Sequence, residues 1–159
     1  MSIIRTEIEI LAGAELCFDL ARSVDAHVAS TGPTRETAVG GVTKGLLSLG
    51  DTVTWRATHF GVTQELTSRI TAFDRPRHFR DEMTRGAFKR LAHDHCFEAL
   101  PHGTRMVDVF DFTAPWGILG TAADRIYLAR YLRDFLEHRA RVLKRLAESG
   151  DGHRLIAAR

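Results

Sequence analysis

The chain is poor in cysteine: Cys17 and Cys96 are its only two thiols in 159 residues. Two thiols, one in a helical stretch and one in a strand-like stretch, cannot build a disulfide framework; both are expected to be buried and to suit a reducing compartment. No apolar run is long enough to span a bilayer. The opening residues, Met1-Ser2-Ile3-Ile4-Arg5-Thr6-Glu7, lack the apolar stretch and small-residue cleavage site of a secretory signal. The expected location is therefore cytoplasmic, without membrane insertion. A large excess of one charge is also missing, since 22 Lys+Arg against 20 Asp+Glu leave a net charge of +2. Basic residues do gather from Arg125 to Arg145, but leucines and acids interleave them as on a solvated helix face, so no nucleic-acid partner is expected. Cys-x-x-Cys pairs and a serine nucleophile elbow are absent, and Gly40-Gly41-Val42-Thr43-Lys44-Gly45 lacks the spacing of a phosphate loop.

What remains is an ordinary globular composition, 44% hydrophobic and 26% charged, sufficient for one cored domain over residues 1–149 with a frayed tail at 150–159. Residues 3–10 alternate as a strand, and helical spacing follows from Ala14 to Arg22 and from Val24 to Ser30, before the break at Thr31-Gly32-Pro33. Between Thr34 and Pro115 turn signals punctuate six strand-like runs, near 34–42, 51–60, 62–73, 77–85, 87–100 and 104–114, which reads as an antiparallel meander. The capping box at Thr121-Ala122-Ala123-Asp124 then opens one long helix ending at Ser149-Gly150. Its apolar stripe runs through Leu128, Leu132, Phe135, Val142 and Leu146, widened by Tyr131, Leu136 and Leu143. At ~1.5 Å per residue it is ~40 Å long, enough to cross a small domain. This order predicts an α+β fold: a seven-stranded antiparallel sheet curved around the C-terminal helix, with two short helices after the first strand.

Period two places Leu66, Ile70, Phe79, Met83, Leu91, Phe97, Met106, Phe110 and Phe112 on the inner face, and carries Gln64, Ser68, Asp81, His93, His95 and Asp108 to the same side. Counting from the turns at Arg85 to Phe88 and at Pro101 to Gly103 sets Asp81 opposite His93 and His95 opposite Asp108, at Cβ separations of ~5 Å. Each imidazole thereby gains a facing carboxylate. Three readings stay open: a structural polar layer that fixes register, a cavity lining that holds the polar end of an apolar ligand, or chemistry by a His-Asp acid/base pair. His93-x-His95 also resembles a metal pair, with Asp108, Asp81 or His59 as possible third ligand, yet it stands alone and no metal or other cofactor is expected. Trp55 and His59 share a face with Val53 and Ala57. His27, His78, His102, His138 and His153 sit at helix ends, in turns or in the tail and are expected at the surface. Arg139 interrupts the helix stripe and is expected to reach the sheet's rim. Apolar loops at Gly45 to Gly50 and Pro115 to Gly120 have the composition of a cavity mouth.

Taken in order, Gly50-Asp51-Thr52-Val53-Thr54-Trp55-Arg56-Ala57-Thr58-His59-Phe60-Gly61, Arg75-Pro76-Arg77-His78-Phe79-Arg80-Asp81-Glu82-Met83, Gly86-Ala87-Phe88-Lys89, His93-Asp94-His95-Cys96-Phe97, Gly103-Thr104-Arg105-Met106-Val107-Asp108 and Ala114-Pro115-Trp116-Gly117 resemble SRPBCC proteins of the START-like superfamily. The branch resembled is a bacterial one related to polyketide cyclase/dehydrase and coenzyme Q-binding proteins. The resemblance covers about residues 3 to 148 and implies a helix-grip fold with a hydrophobic cavity. It further implies binding of a lipid, quinone or polyketide-like molecule, or its cyclisation or dehydration. The expected ligand contacts are Trp55, His59, Gln64, Asp81, His93, His95, Asp108, Phe110, Leu128 and Phe135; any catalytic group is expected among His93, His95, Asp81 and Asp108. Whether the protein is an enzyme stays open, as does an interaction or chaperone-like role through the apolar loops at Leu46 and Trp116. It is expected to act as a monomer or homodimer.

Overall fold

The computed structural model describes residues 1–114 and 122–157. Strand β1 (Ser2–Ile10) is followed by helices α1 (Ala14–Ala21) and α2 (Val24–Ser30), a short 3-10 turn, and strands β2 (Thr37–Gly41), β3 (Thr52–His59), β4 (Val62–Asp74), β5 (His78–Arg85), β6 (Arg90–Leu100) and β7 (Gly103–Thr113). Helices α3 (Ala122–Glu148) and α4 (Asp151–Ala157) complete the chain. The strands form one seven-stranded sheet in the order β1-β7-β6-β5-β4-β3-β2, every neighbouring pair antiparallel. The expected meander is present, and β1 closes onto β7. The capping box at Thr121 to Asp124 and the loop from Pro115 to Gly120 lie outside the described residues or side chains.

Bulges curve the sheet. Between β4 and β5 the register slips twice, at Thr67/Ser68 and at Ile70/Ala72, and an extra residue on one strand bends it and increases its twist. The second slip reverses the inward parity of β4. Ile70 points inward, Thr71 is passed over, and Phe73, opposite Phe79, points inward as well. Simple alternation along β4 would have sent Phe73 outward. Its ring instead packs edge-on to Phe18 of α1 at 5.3 Å, and Phe79 and Phe97 meet the same ring at 5.3 and 5.4 Å. Phe18 is fully buried and pins α1 to the sheet.

Helix α3 packs along the concave side. Its buried row is Leu132, Leu136, Arg139, Ala140, Leu143 and Ala147, with Val142 and Leu146 at its edge rather than its centre. Two alanines in that row let the helix axis approach its neighbours closely. Rather than fraying, residues 151–157 form α4. Gly152 is the reason: a Cβ there would lie 2.8 Å from Leu20 Cδ1 and 2.9 Å from the Leu146 carbonyl oxygen, so only glycine allows this approach. Leu155 and Ile156 then cover the core around Phe18. Cys17 is buried, whereas Cys96, on the outer face, is half-buried; burial pushes both thiols up. No described helix is long and apolar enough to cross a membrane. Replacing Phe18 with alanine is predicted to destabilise the fold by about 3–5 kcal/mol, read from the urea midpoint; a loss under about 1 kcal/mol would mean that α1 is not pinned by this ring.

Candidate functional site

The apolar interior divides into two clusters, one around Phe18, Val24, Phe79 and Met106, the other around Ile4, Leu91, Phe112 and Leu136. Between them lies a cavity of about 150 Å³, enclosed by the inner sheet face, α3 and the loop at Leu47. Polar side chains from β5 and β6 meet on its wall, with one from β7 behind them.

Register across these strands is as counted from the sequence, with Asp81 facing His93 and His95 facing Asp108. Two of the three contacts nevertheless run diagonally. His93 Nε2 lies 3.0 Å from Asp108 Oδ1, and His95 Nε2 lies 3.1 Å from Asp81 Oδ2, while His95 Nδ1 approaches Asp108 Oδ1 to 2.7 Å. The expected partner of His93 is thus corrected from Asp81 to Asp108, while His95 keeps its facing Asp108 and gains Asp81 as a second partner. Strand twist brings the diagonal neighbour, two positions along, within reach of a ring as long as imidazole. The two imidazoles lie 3.8 Å apart between centroids; Phe79 stacks on His95 at 4.2 Å, and Phe110 sets its edge to His93 at 5.1 Å.

Charge follows from these contacts. Burial would raise the Asp108 carboxyl, but the His95 charge and the hydrogen bonds from both imidazoles hold it far below the usual carboxylate range. Asp81 is likewise held low against the effect of burial, by its hydrogen bond with His95 and by neighbouring positive charge that includes Arg139. Two ionised carboxylates only accept hydrogen bonds, so His95 must donate from both nitrogens. Burial pulls His95 down, yet Asp108 and Asp81 together push it above the ordinary histidine value. Burial and the adjacent His95 push His93 below that value despite Asp108. The touching pair therefore holds one proton beyond two neutral rings, and holds it on His95.

A second polar group faces the cavity from the other side. Glu36 hydrogen-bonds His27 Nε2 and lies 3.9 Å from His59 Nε2, while His59 Nδ1 meets the Tyr131 hydroxyl at 2.7 Å. Trp55 stacks on His27 at 3.9 Å. His27 is therefore not a surface group. It lies three residues from both Val24 and Ser30 on the buried face of α2, a spacing that is readable in the sequence. Glu36 carries no such signal. Burial pushes both His27 and His59 down, toward neutral rings. Arg139 is not at the rim either: it is buried on the cavity wall, donates from Nη2 to the Ala21 carbonyl at 3.2 Å, and has no hydrogen-bond partner at Nε among the described residues.

Of the expected ligand contacts, Trp55, His59, Gln64, Asp81, His93, His95, Phe110 and Phe135 border the cavity. Asp108 does not; it sits behind the two histidines. Leu128 is not on the cavity wall either, and packs instead against the cluster around Ile4 and Leu91. Of the apolar loops, Leu46 is half-buried and Leu47 lines the cavity, whereas Trp116 lies outside the described residues. Asp81, His93 and His95 also offer one metal-ligating atom each, all within 4.8 Å of one another.

No protein-family model matches the sequence, and no curated protein matches it. Solved structures do match the fold. The protein TTHA0849 from Thermus thermophilus superimposes with a TM-score of 0.78 at 17% identity, over 94% of this chain and 99% of that one. A START superfamily protein from Mycobacterium smegmatis gives 0.70 at 13% identity, over 92% and 97%. The Zhui aromatase/cyclase from Streptomyces sp. R1128 gives 0.74 at 15% identity, over 99% and 96%. At such identities the likeness establishes architecture, and the chain has the helix-grip fold of START-like proteins.

Substituting Asp108 with asparagine removes the shared negative charge while leaving the imidazoles buried, and is predicted to cost about 3–5 kcal/mol at neutral pH. A carboxyl with a depressed folded value contributes fully above its unfolded value, near 4, and progressively less below it. Urea titrations of both proteins should show a stability gap that is full at pH 6 to 7 and narrows as pH falls below about 4. A gap independent of pH across that range would contradict an ionised Asp108.

Proposed function

We propose that the protein binds a small amphipathic molecule in the cavity between the sheet and α3. The observation that carries this reading is the division of the cavity wall: Leu66, Ile70, Leu91, Phe110, Leu132 and Leu136 present apolar surface, while Asp81, His93, His95 and Arg139 converge on it with polar atoms. Such a wall orients a ligand by one polar end and shelters the rest. A cavity of about 150 Å³ is on the scale of a single aromatic ring. This favours a ring-bearing head group of quinone or polyketide character over a bare acyl chain. The setting is the cytoplasm, and the partner is a small molecule rather than nucleic acid, bound by a monomer or homodimer.

A second reading, acid/base catalysis of cyclisation or dehydration, is favoured by one feature. His93 and His95 touch, both border the cavity, and their environments push their proton affinities in opposite directions, the pattern expected of a base beside an acid. That a structurally similar protein is an aromatase/cyclase agrees with this reading.

Binding to the native state alone must raise its stability, by about 2.7 kcal/mol at a hundredfold excess over Kd. Thermal melts against a panel of quinones, phenols and polyketide-like ring compounds are predicted to show a clear upward shift for ring compounds with one polar end. Absence of any shift across the panel would overturn the binding reading. Under the catalytic reading, H93Q lowers turnover of a cyclisable poly-β-ketone thioester by about 10²–10⁴-fold while its melting shift persists; unchanged turnover would reject it.

A further inference from the structure

We propose that Asp81, His93 and His95 form a binding site for one divalent first-row transition metal ion, with Asp108 as the carboxylate that orients both imidazoles. Taken alone, His93-x-His95 on one strand supplies only two ligands, which is why the sequence implies no metal. The sheet supplies the third. Asp81, on the neighbouring β5, faces His93 across the ladder and meets His95 diagonally. One ligand atom from each residue lies within 4.8 Å of the others. Bonds of about 2.0–2.2 Å to a tetrahedral ion bring such atoms to about 3.4 Å of one another, so small rotamer adjustments suffice.

The pattern of nitrogen use is more specific than the distances. Asp108 approaches Nε2 of His93 and Nδ1 of His95, one nitrogen of each ring. His93 Nδ1 and His95 Nε2 remain, and the latter already faces Asp81 Oδ2 at 3.1 Å. A carboxylate behind each ligating imidazole is the arrangement that fixes its tautomer and orientation at metal centres. Here a single buried aspartate serves both rings. The rings are further held by Phe79 and Phe110 on rigid strands rather than loops.

Fixed charge points the same way. Among the described residues around the cavity, Asp81, Asp108 and Glu36 contribute three carboxylates of low exposure, while Arg139 contributes one guanidinium without a carboxylate in contact. Arg22 is matched by Asp19 at 2.7 Å, and Glu65 is exposed and paired with Arg56. Once His95 releases its Nε2 proton to ligate, two negative charges are left over, the charge that a divalent ion supplies. Two imidazoles and one carboxylate also leave coordination positions open. Asp81, His93 and His95 border the cavity and Asp108 does not, so the open positions face the space in which an organic ligand would lie.

The test uses the full chain, stripped with chelator and titrated with Co(II) alone, so it is independent of any organic ligand. Saturable one-to-one binding with visible d–d absorption, displaced by Zn(II), is expected. H95Q and D81N should each weaken binding at least 100-fold. D108N, checked for folding by circular dichroism, should weaken it about 10–100-fold with the d–d bands retained. H78N, altered on the outer face where His78 pairs with Asp94, should change nothing. Absence of one-to-one binding to the wild-type protein would overturn the proposal, as would binding that survives both H95Q and D81N or that disappears in H78N.

Discussion

An ionised carboxylate buried between two imidazoles governs the arrangement of this interior. Removing a carboxylate from water costs several kcal/mol unless partners replace the lost hydration. Asp108 obtains those partners only because β6 places His93 and His95 on the same side, two residues apart, and β7 lies in the one register that sets Asp108 beside them. A slip of one residue would turn one partner to the outer face and leave the others buried and unmatched. The polar cluster thus selects a register that apolar alternation alone would leave less sharply defined.

The same cluster explains why the interior divides in two. Apolar side chains pack densely around Phe18 at one end and around Leu136 at the other, and the polar layer with its cavity lies between them. A uniform apolar core would close that space. Bulges in β4 and β5 bend the sheet enough to wrap α3, and Arg139 on that helix faces the polar layer rather than solvent. Curvature, buried charge and open volume therefore belong to one design. The two histidines occupy different proton states because they share one carboxylate while only His95 reaches the second.

Much of this was legible in the sequence, for identifiable reasons. Strict alternation in β6 and β7 and clear turns at both ends gave the strand order, the inner face and the pairing of His95 with Asp108 across the ladder. Twist was not legible, and it carries His93 to Asp108 and His95 Nε2 to Asp81 diagonally, while His95 Nδ1 keeps its facing Asp108. Phe73 was missed because a bulge leaves no compositional mark in β4. Arg139 was misplaced because a long cation on an apolar stripe ordinarily reaches water, and only the tertiary structure shows a polar layer waiting opposite it. His27 was misread from its position at a helix end, although its spacing from Val24 and Ser30 carried the information. Nothing local in the tail signals order, and the close approach that Gly152 permits exists only once α1 and α3 are in place.

Unequal protonation of two touching imidazoles is the central claim, and ring nitrogen chemical shifts measured by NMR across a pH titration of metal-free protein test it directly. His95 is predicted to keep protons on both nitrogens above the ordinary histidine value near 6.5, while His93 stays neutral below it, with its proton on Nε2. Titration of both rings together at that ordinary value would contradict the claim.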